Sequence, residues 1–328
     1  MSKKIAVVGA SGLVGRTILN VLEENLICGD YVLFSSQKSE GLKVEFFGKT
    51  HVFKKLTEEE IKNRSFDYAI FAAGSAVSEK YAELFVKQGA TVIDNSSFFR
   101  KRKDVPLVCA GINDEDCLNS NGIIANPNCS TIQAVNALKP LHDKYKIKRL
   151  VFTTLQSVSG AGKKGLDALD EGLNYKYGKF QYRIYSNALP QIGEFDKDGY
   201  TEEENKLVFE TRKILHDESI KITATAVRVP VYYCHSISVN VETELPFDLD
   251  ELICDLAVKP NVNVLKTPYY PTATDCLNSD DIFIGRVRRD FSRENAINMW
   301  IVANNLRRGA ATNAVEILKF LILNREKK

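Results

Sequence analysis

The chain has 328 residues, 44% of them apolar and 26% charged, with 44 basic against 42 acidic side chains and a formal net charge of +2. That length exceeds an ordinary single domain and supplies apolar surface for two domains sharing a substantial core. The composition excludes a disordered chain, and the balanced charge excludes bulk attraction to nucleic acid or to an anionic membrane, so a small-molecule partner is expected.

In chain order, residues 5–8, 31–35, 68–72 and 91–94 are short apolar runs, separated by segments of helical periodicity such as 14–26 and 77–88. Strands alternating with helices predict a parallel sheet covered on both faces. Helical spacing resumes at 131–145, and the pattern then changes to longer runs rich in β-branched residues at 149–155, 220–231, 236–245 and 282–289. These predict an antiparallel or mixed sheet. The last segment, 297–323, returns to apolar helical spacing broken by Gly309, and is expected to be a helix packed back on the first domain. The expected plan is a nucleotide domain of residues 1–129 completed by 309–328, with a catalytic domain of residues 130–308 between them. Seven cysteines, an odd number with no CxxC pair, predict neither disulfides nor a structural metal. No signal-peptide layout and no apolar run approaching about eighteen residues is present, which predicts a cytoplasmic protein without a membrane span.

The first apolar run ends in Gly9-Ala10-Ser11-Gly12-Leu13-Val14-Gly15. Glycines at this spacing permit a tight strand-to-helix turn and let backbone amides approach a pyrophosphate, to which the helix N-terminus adds the positive end of its dipole. The second run closes in Ser35-Ser36-Gln37-Lys38-Ser39, without the acid that accepts the ribose hydroxyls of NAD. Its hydroxyls and Lys38 suit the extra phosphate of NADP; the alternative is a solvated loop.

Cys129, in Asn128-Cys129-Ser130-Thr131, stands where a helix begins, so the dipole and amides there favour a thiolate; the alternative is a small buried apolar cysteine. His235 lies in a strand with polar neighbours, whereas His51, His142 and His216 fall in charged or helical surface contexts; a satisfied core histidine is the alternative. Gln156 ends a strand just before the small-residue run Ser157 to Gly162, which admits close approach of a substrate or cofactor. Glu203 and Lys206 share one helix face, where they either pair in solvent or bind a ligand. Arg228 has apolar neighbours in a strand, so its burial requires a carboxylate from a ligand or from the protein. Arg100, closing Asp94 to Phe99, faces an anion or water.

Taken in order, Gly9 to Gly15, Asp94 to Arg100, Asn126 to Thr131, Gln156 to Gly162, Glu203 to Lys206, Arg228 to His235 and Asn305 to Ala311 resemble the motif series of the aspartate-semialdehyde dehydrogenase family over nearly the whole chain. The 27-residue step from Cys129 to Gln156 and the 7-residue step from Arg228 to His235 match as well. The resemblance implies an α/β fold, with a Rossmann-type parallel-sheet domain and an α+β catalytic and dimerisation domain, as in glyceraldehyde-3-phosphate dehydrogenase. It implies Cys129 as thioester nucleophile, His235 as general acid/base and Gln156 as a substrate-orienting group. Arg228 would pair with the substrate α-carboxylate, Glu203 with its α-ammonium, and Arg100, Lys206 and Asn128 with phosphate. Gly9, Ser11, Gly12, Leu13, Val14, Ser36, Lys38, Ser39, Ser159, Gly160 and Asn305 would line the NADP site; no metal is implied.

The implied reaction is the reversible NADP-dependent reductive dephosphorylation of L-4-aspartyl phosphate to L-aspartate 4-semialdehyde, in lysine, threonine and methionine biosynthesis, by a homodimer or homotetramer. Three other readings compete. An acyl-phosphate or acyl-CoA reductase for a different acid would gain nothing from Glu203; a hydrolase built on Cys129 and His235 would not need the glycine loop; a nucleotide sensor would not need Cys129, Gln156 and His235 together. Lys38 stands where many family members carry arginine, which bears on NADP-over-NAD selectivity. Thr312 stands where an aliphatic residue often precedes the asparagine, a change expected to touch only packing.

Overall fold

The computed structural model describes residues 2–172 and 178–325, so the final three residues of the expected 309–328 segment lie outside it. The chain forms two compact units, Met1–Pro127 with Ala310–Lys328, and Asn128–Gly309.

In the first unit, β1 (Lys4–Val8), β2 (Asp30–Ser35), β5 (Lys54–Lys55), β6 (Tyr68–Phe71), β7 (Thr91–Asp94) and β8 (Ile123–Ala125) form one sheet in the order β5-β2-β1-β6-β7-β8; β3 (Lys43–Phe46) and β4 (Lys49–Val52) make a separate hairpin. Every pairing in the six-stranded sheet is parallel. Because side chains alternate along a strand, both faces must be covered. Ile5, Val7, Ile70 and Ile93 pack with Ile18 and Leu22 of α1 (Leu13–Glu24) and with Ile317 and Leu318 of the C-terminal helix (Asn313–Arg325). The opposite face carries an aromatic cluster in which Phe34 and Phe71 meet Phe85 edge-on. Phe85 belongs to α3 (Ser75–Lys87); the short α2 (Glu58–Lys62) is capped by the Thr57 hydroxyl.

The second unit opens with α4 (Cys129–Tyr145) and continues through β9 (Ile147–Gln156), α5 (Lys163–Gly172), α6 (Glu202–Leu215), β10 (Lys221–Arg228), β11 (His235–Thr243), α7 (Leu249–Leu256), β12 (Val262–Val264), β13 (Ile282–Arg289) and β14 (Ala296–Ala303). The strand order is β10-β9-β11-β14-β13-β12, with two parallel and three antiparallel pairings, hence a mixed sheet. One face is lined by Phe152, Ile237, Val239, Ile284, Met299 and Ile301, packed against Leu138 and Leu141 of α4 and Leu252 of α7.

The segment 297–323 is not one helix. Its first part is β14, held between β11 and β13, and the α-helix begins only at Asn313, directly after a π-helical turn at Arg307–Thr312. The apolar residues of Ala296–Ala303 serve two faces: Ile297, Met299, Ile301 and Ala303 enter the main core, and Val302 joins Cys234 and Cys276. A strand buried on both sides has no polar alternation, and so carries no period that separates it from a buried helix.

Candidate active site

The strand register of the second unit gathers three of the expected site residues. Arg228 and Gln156 are register partners at the ends of parallel β10 and β9, and antiparallel β11 begins with His235, next to the Ser236–Leu155 pair. All three side chains are at least 95% buried, Gln156 at 1%, His235 at 0% and Arg228 at 5% exposure.

Cys129 is the first residue of α4, and the preceding Asn128 caps the helix by accepting a hydrogen bond from the Ser130 amide on its own side chain. No acid occupies the first turn of α4. A second helix fixes this N-terminus: the Asn128 main-chain N–H donates to Glu210 at 2.6 Å, and its Nδ2 donates to Glu203 Oε1 at 2.9 Å. Glu203 Oε1 also accepts from Gln156 Nε2 at 3.1 Å, and Oε2 pairs with Lys206 at 3.2 Å. The Glu203–Lys206 pair is therefore no solvated surface pair, since Glu203 is only 5% exposed. Burial opposes ionisation of Glu203, but Lys206, Asn128, Gln156 and Arg228 outweigh it and hold the carboxyl below its usual range. Gly309, expected to interrupt a helix and part of the Asn305 to Ala311 motif, lies against Cys129: a Cβ there would come 2.8 Å from the cysteine Cβ.

His235 accepts the Ser157 main-chain N–H at Nδ1, 3.0 Å, and its buried Nε2 has no hydrogen-bond partner. Burial first, and the Arg228 charge second, push its pKa down to about 3, with Glu203 pulling the other way. The ring is thus neutral near pH ~7. Arg228 donates from Nη1 to Ser157 O at 2.7 Å, while its buried Nε has no partner. Among the described residues no carboxylate hydrogen-bonds to it, and Glu203 supports its charge only from a distance. His235 Nε2 and Arg228 Nε are thus two buried donors without a protein partner in the same part of the second unit. Gly160 closes over them, since a Cβ there would lie 2.9 Å from Arg228 Nη1 and 3.2 Å from His235 Nε2.

Ser159 and Asn305 are buried within one network. Asn305 Oδ1 accepts from Ser157 Oγ, Ser159 Oγ and the Cys234 main-chain N–H, and Nδ2 donates to Ser159 Oγ. Cys234 has φ of +71°, a left-handed conformation that is strained for a residue with a Cβ, and Asn305 holds the turn that presents His235. His142, expected on the surface, is buried at the end of α4, where its Nδ1 accepts the Ile147 N–H. Ser157 and Glu210 are the two site residues that sequence reading missed; the signal for Glu210 was its i+7 spacing from Glu203 on one helix face.

In the first unit, β1 runs into Gly9, whose φ of +85° and approach to Ala72 admit only glycine; a Cβ on Gly15 would come 2.1 Å from Gly9 O. Gly12 caps α1 with no side-chain hydrogen bond and no acid in the first turn, so nothing on the side chains competes for an anion there. The turn lies at the C-terminal end of β1, where the strand order reverses between β2 and β6. That is where a doubly wound sheet binds a dinucleotide, and these residues fit a pyrophosphate. Ser36 and Lys38 are exposed and Ser39 half-buried in the turn at the end of neighbouring β2. Arg100 is buried, donating from Nε to Asn126 O and from Nη2 to Asn95 O.

The class of protein follows from two matches: residues 4–120 match the family model for the semialdehyde dehydrogenase NAD binding domain, and residues 138–308 that for the semialdehyde dehydrogenase dimerisation domain. The first unit accordingly binds a nicotinamide dinucleotide. Aspartate-semialdehyde dehydrogenase of Aquifex aeolicus is 47% identical, with 98% of each chain covered, and that of Campylobacter jejuni 44% identical with 97% covered. A solved structure of aspartate semialdehyde dehydrogenase II complexed with ASA, from Vibrio cholerae, superposes with TM-score 0.94 at 41% identity over 98% of both chains. The chain belongs to the aspartate-semialdehyde dehydrogenase family of oxidoreductases. Among the described residues no helix is long and apolar enough to cross a membrane.

Proposed function

We propose that this protein catalyses the reversible, NADP-dependent reductive dephosphorylation of L-4-aspartyl phosphate to L-aspartate 4-semialdehyde, through a thioester on Cys129. The observation that carries the reading is the meeting of Gln156, Arg228 and His235 at the ends of three neighbouring strands, tied through Glu203 and Asn128 to the helix N-terminus that bears Cys129. The helix N-terminus favours the thiolate. Cys129 Sγ attacks the acyl carbon, the oxygen takes up negative charge, and the carbonyl reforms as phosphate leaves, which gives the thioester. NADPH, when bound, would supply the hydride for reduction at the thioester carbon. Collapse of the resulting hemithioacetal returns the Cys129 thiolate and releases the aldehyde.

His235, with its proton on Nε2, donates a hydrogen bond to the carbonyl oxygen as charge develops, and serves as the general acid of the cycle only once it has taken up a second proton. Arg228 binds the α-carboxylate through the guanidinium nitrogens not held by Ser157. The bound carboxylate also offsets one of the two causes that depress the His235 pKa, so substrate readies the imidazole for proton exchange. Glu203 receives the α-ammonium and Gln156 orients the acyl group. Arg100, Lys206 and Asn128 bind the phosphate. Gly9, Ser11 to Val14, Ser36, Lys38 and Ser39 hold NADP, assisted by Ser159, Gly160 and Asn305.

The first unit takes the cofactor, and the second, which matches a dimerisation domain, carries catalysis and the contact of a homodimer in the cytoplasm. Phosphate-dependent reduction of NADP by aspartate semialdehyde, run beside glutamate and succinate semialdehydes, tests the reading. Equal efficiency with succinate semialdehyde would overturn the role of Glu203 and favour a reductase for a different acid.

A further inference from the structure

A chain of asparagine carboxamides runs through the first unit to Arg100. Asn313, wholly buried at the start of the C-terminal helix, accepts the Ala110 N–H on Oδ1 at 2.8 Å. Its Nδ2 donates to Val108 O at 3.0 Å and to Asn126 Oδ1 at 2.6 Å. Asn126 donates in turn to Asn95 Oδ1 at 2.9 Å, and Asn95 donates to Phe71 O at 2.8 Å. Arg100 sits on the main-chain carbonyls of the same two asparagines, Nε on Asn126 O at 2.9 Å and Nη2 on Asn95 O at 2.8 Å.

Each of the three side chains is used as donor and acceptor at once, which neither an aliphatic nor an acidic residue reproduces. A guanidinium is a planar fork whose direction matters for a tetrahedral oxyanion, and two main-chain carbonyls help to set that direction here. The two carbonyls belong to residues whose side chains are locked to each other and, through Asn313, to the C-terminal helix. We propose that Asn313 is a positioning residue for the phosphate step: through Asn126 and Asn95 it aims the Arg100 guanidinium and so sets affinity for phosphate. The inference rests on the reading of Arg100 as a phosphate-binding residue.

Steady-state kinetics in the phosphate-consuming direction test it with Asn313→Ala and Asn95→Ala, and with Arg100→Ala as the reference. For both asparagine variants the KM for inorganic phosphate should rise about 5- to 20-fold, the effect of a misaimed binding group. The KM for NADP, and kcat at saturating phosphate, should stay within about twofold by the same reasoning. Melting temperature separates loss of fold from loss of aim, and Asn95→Ala, at a less buried position, carries the test should Asn313→Ala not fold. Folded variants with the parent phosphate KM, or with all constants worsened alike, would overturn the relay. An unchanged phosphate KM in Arg100→Ala would instead overturn the reading of Arg100, and the relay with it.

Discussion

The Ser157 main-chain N–H donates to Nδ1 of His235 at 3.0 Å, and this bond decides where the ring carries its proton. A nitrogen that accepts a hydrogen bond bears no hydrogen, so the neutral ring is protonated at Nε2, the atom without a partner. Ser157 O also accepts from Arg228 Nη1, so the main chain of one residue orients both groups.

The same burial makes a pH prediction. Unfolded, His235 takes up a proton near the ordinary histidine value of 6.5; folded, only at about 3. Between those values the unfolded chain holds more protons, so stability is fully present above about 6.5 and is lost as pH falls towards 3. His142, whose pKa burial also lowers, acts in the same direction. The melting temperature should fall from pH ~7.5 to ~5, and His235→Gln should remove part of that fall. A fall of the same size in the variant would assign the acid sensitivity to His142 and other groups.

Cys129→Ala should abolish turnover and leave NADP affinity nearly unchanged, because the thiol is the nucleophile and the cofactor is held mainly by the first unit. His235→Asn should slow the reaction ~10²–10⁴-fold, the usual worth of a positioned acid/base, while the protein stays folded. Rapid residual turnover in the first variant would end the thioester mechanism. A rate close to the parent in the second would return His235 to a structural role.

Gly160→Ala places a methyl 2.9 Å from Arg228 Nη1 and 3.2 Å from the His235 ring, so both must shift. Efficiency with the semialdehyde should drop about tenfold or more, since small misplacements of catalytic groups are costly. Parent-like kinetics would mean that the loop moves away from the site.

The parallel unit was legible because its strands and helices alternate with distinct periods, and because Gly9 to Gly15 falls where β1 turns into α1. The start of β14 was not, since residues buried on both faces show no period. Cys129 and His235 were candidates by chemistry and took their expected roles from the family resemblance, while the bonds around them come from Ser157, Asn305, Glu203 and Glu210, which meet only when β9, α6 and the β14 end come together. A main-chain donor such as Ser157 N–H has no sequence signature at all. Asn313 shows the same limit: the sequence assigned it no role, and it is a hydrogen-bonding hub in the fold.

Lys38→Glu should weaken NADP more than NAD, because an exposed cation at the end of β2 is exchanged for a charge that repels the ribose phosphate. Everything the two cofactors share is untouched. Dissociation constants for both, measured by fluorescence titration, should show a larger loss for NADP; equal losses would move the phosphate contact to Ser36 or Ser39.

Arg228→Lys discriminates the use of the buried guanidinium. Its desolvation lowers the Arg228 pKa and only the Glu203 and Cys129 charges work against that, so the group is held in place at a cost that substrate binding would offset. Lysine keeps the charge but is a point donor, and cannot make two parallel bonds to a carboxylate while also reaching Ser157 O. If the α-carboxylate docks there, kcat/KM for the semialdehyde should fall by about two orders of magnitude, with NADP binding intact. Melting temperature should change little or rise, because a lysine in this pocket can shed its proton where arginine cannot. Loss of thermal stability with parent-like efficiency in the folded fraction would make Arg228 a structural ligand of Ser157. An unchanged KM for the semialdehyde together with unchanged turnover would remove it from the substrate site.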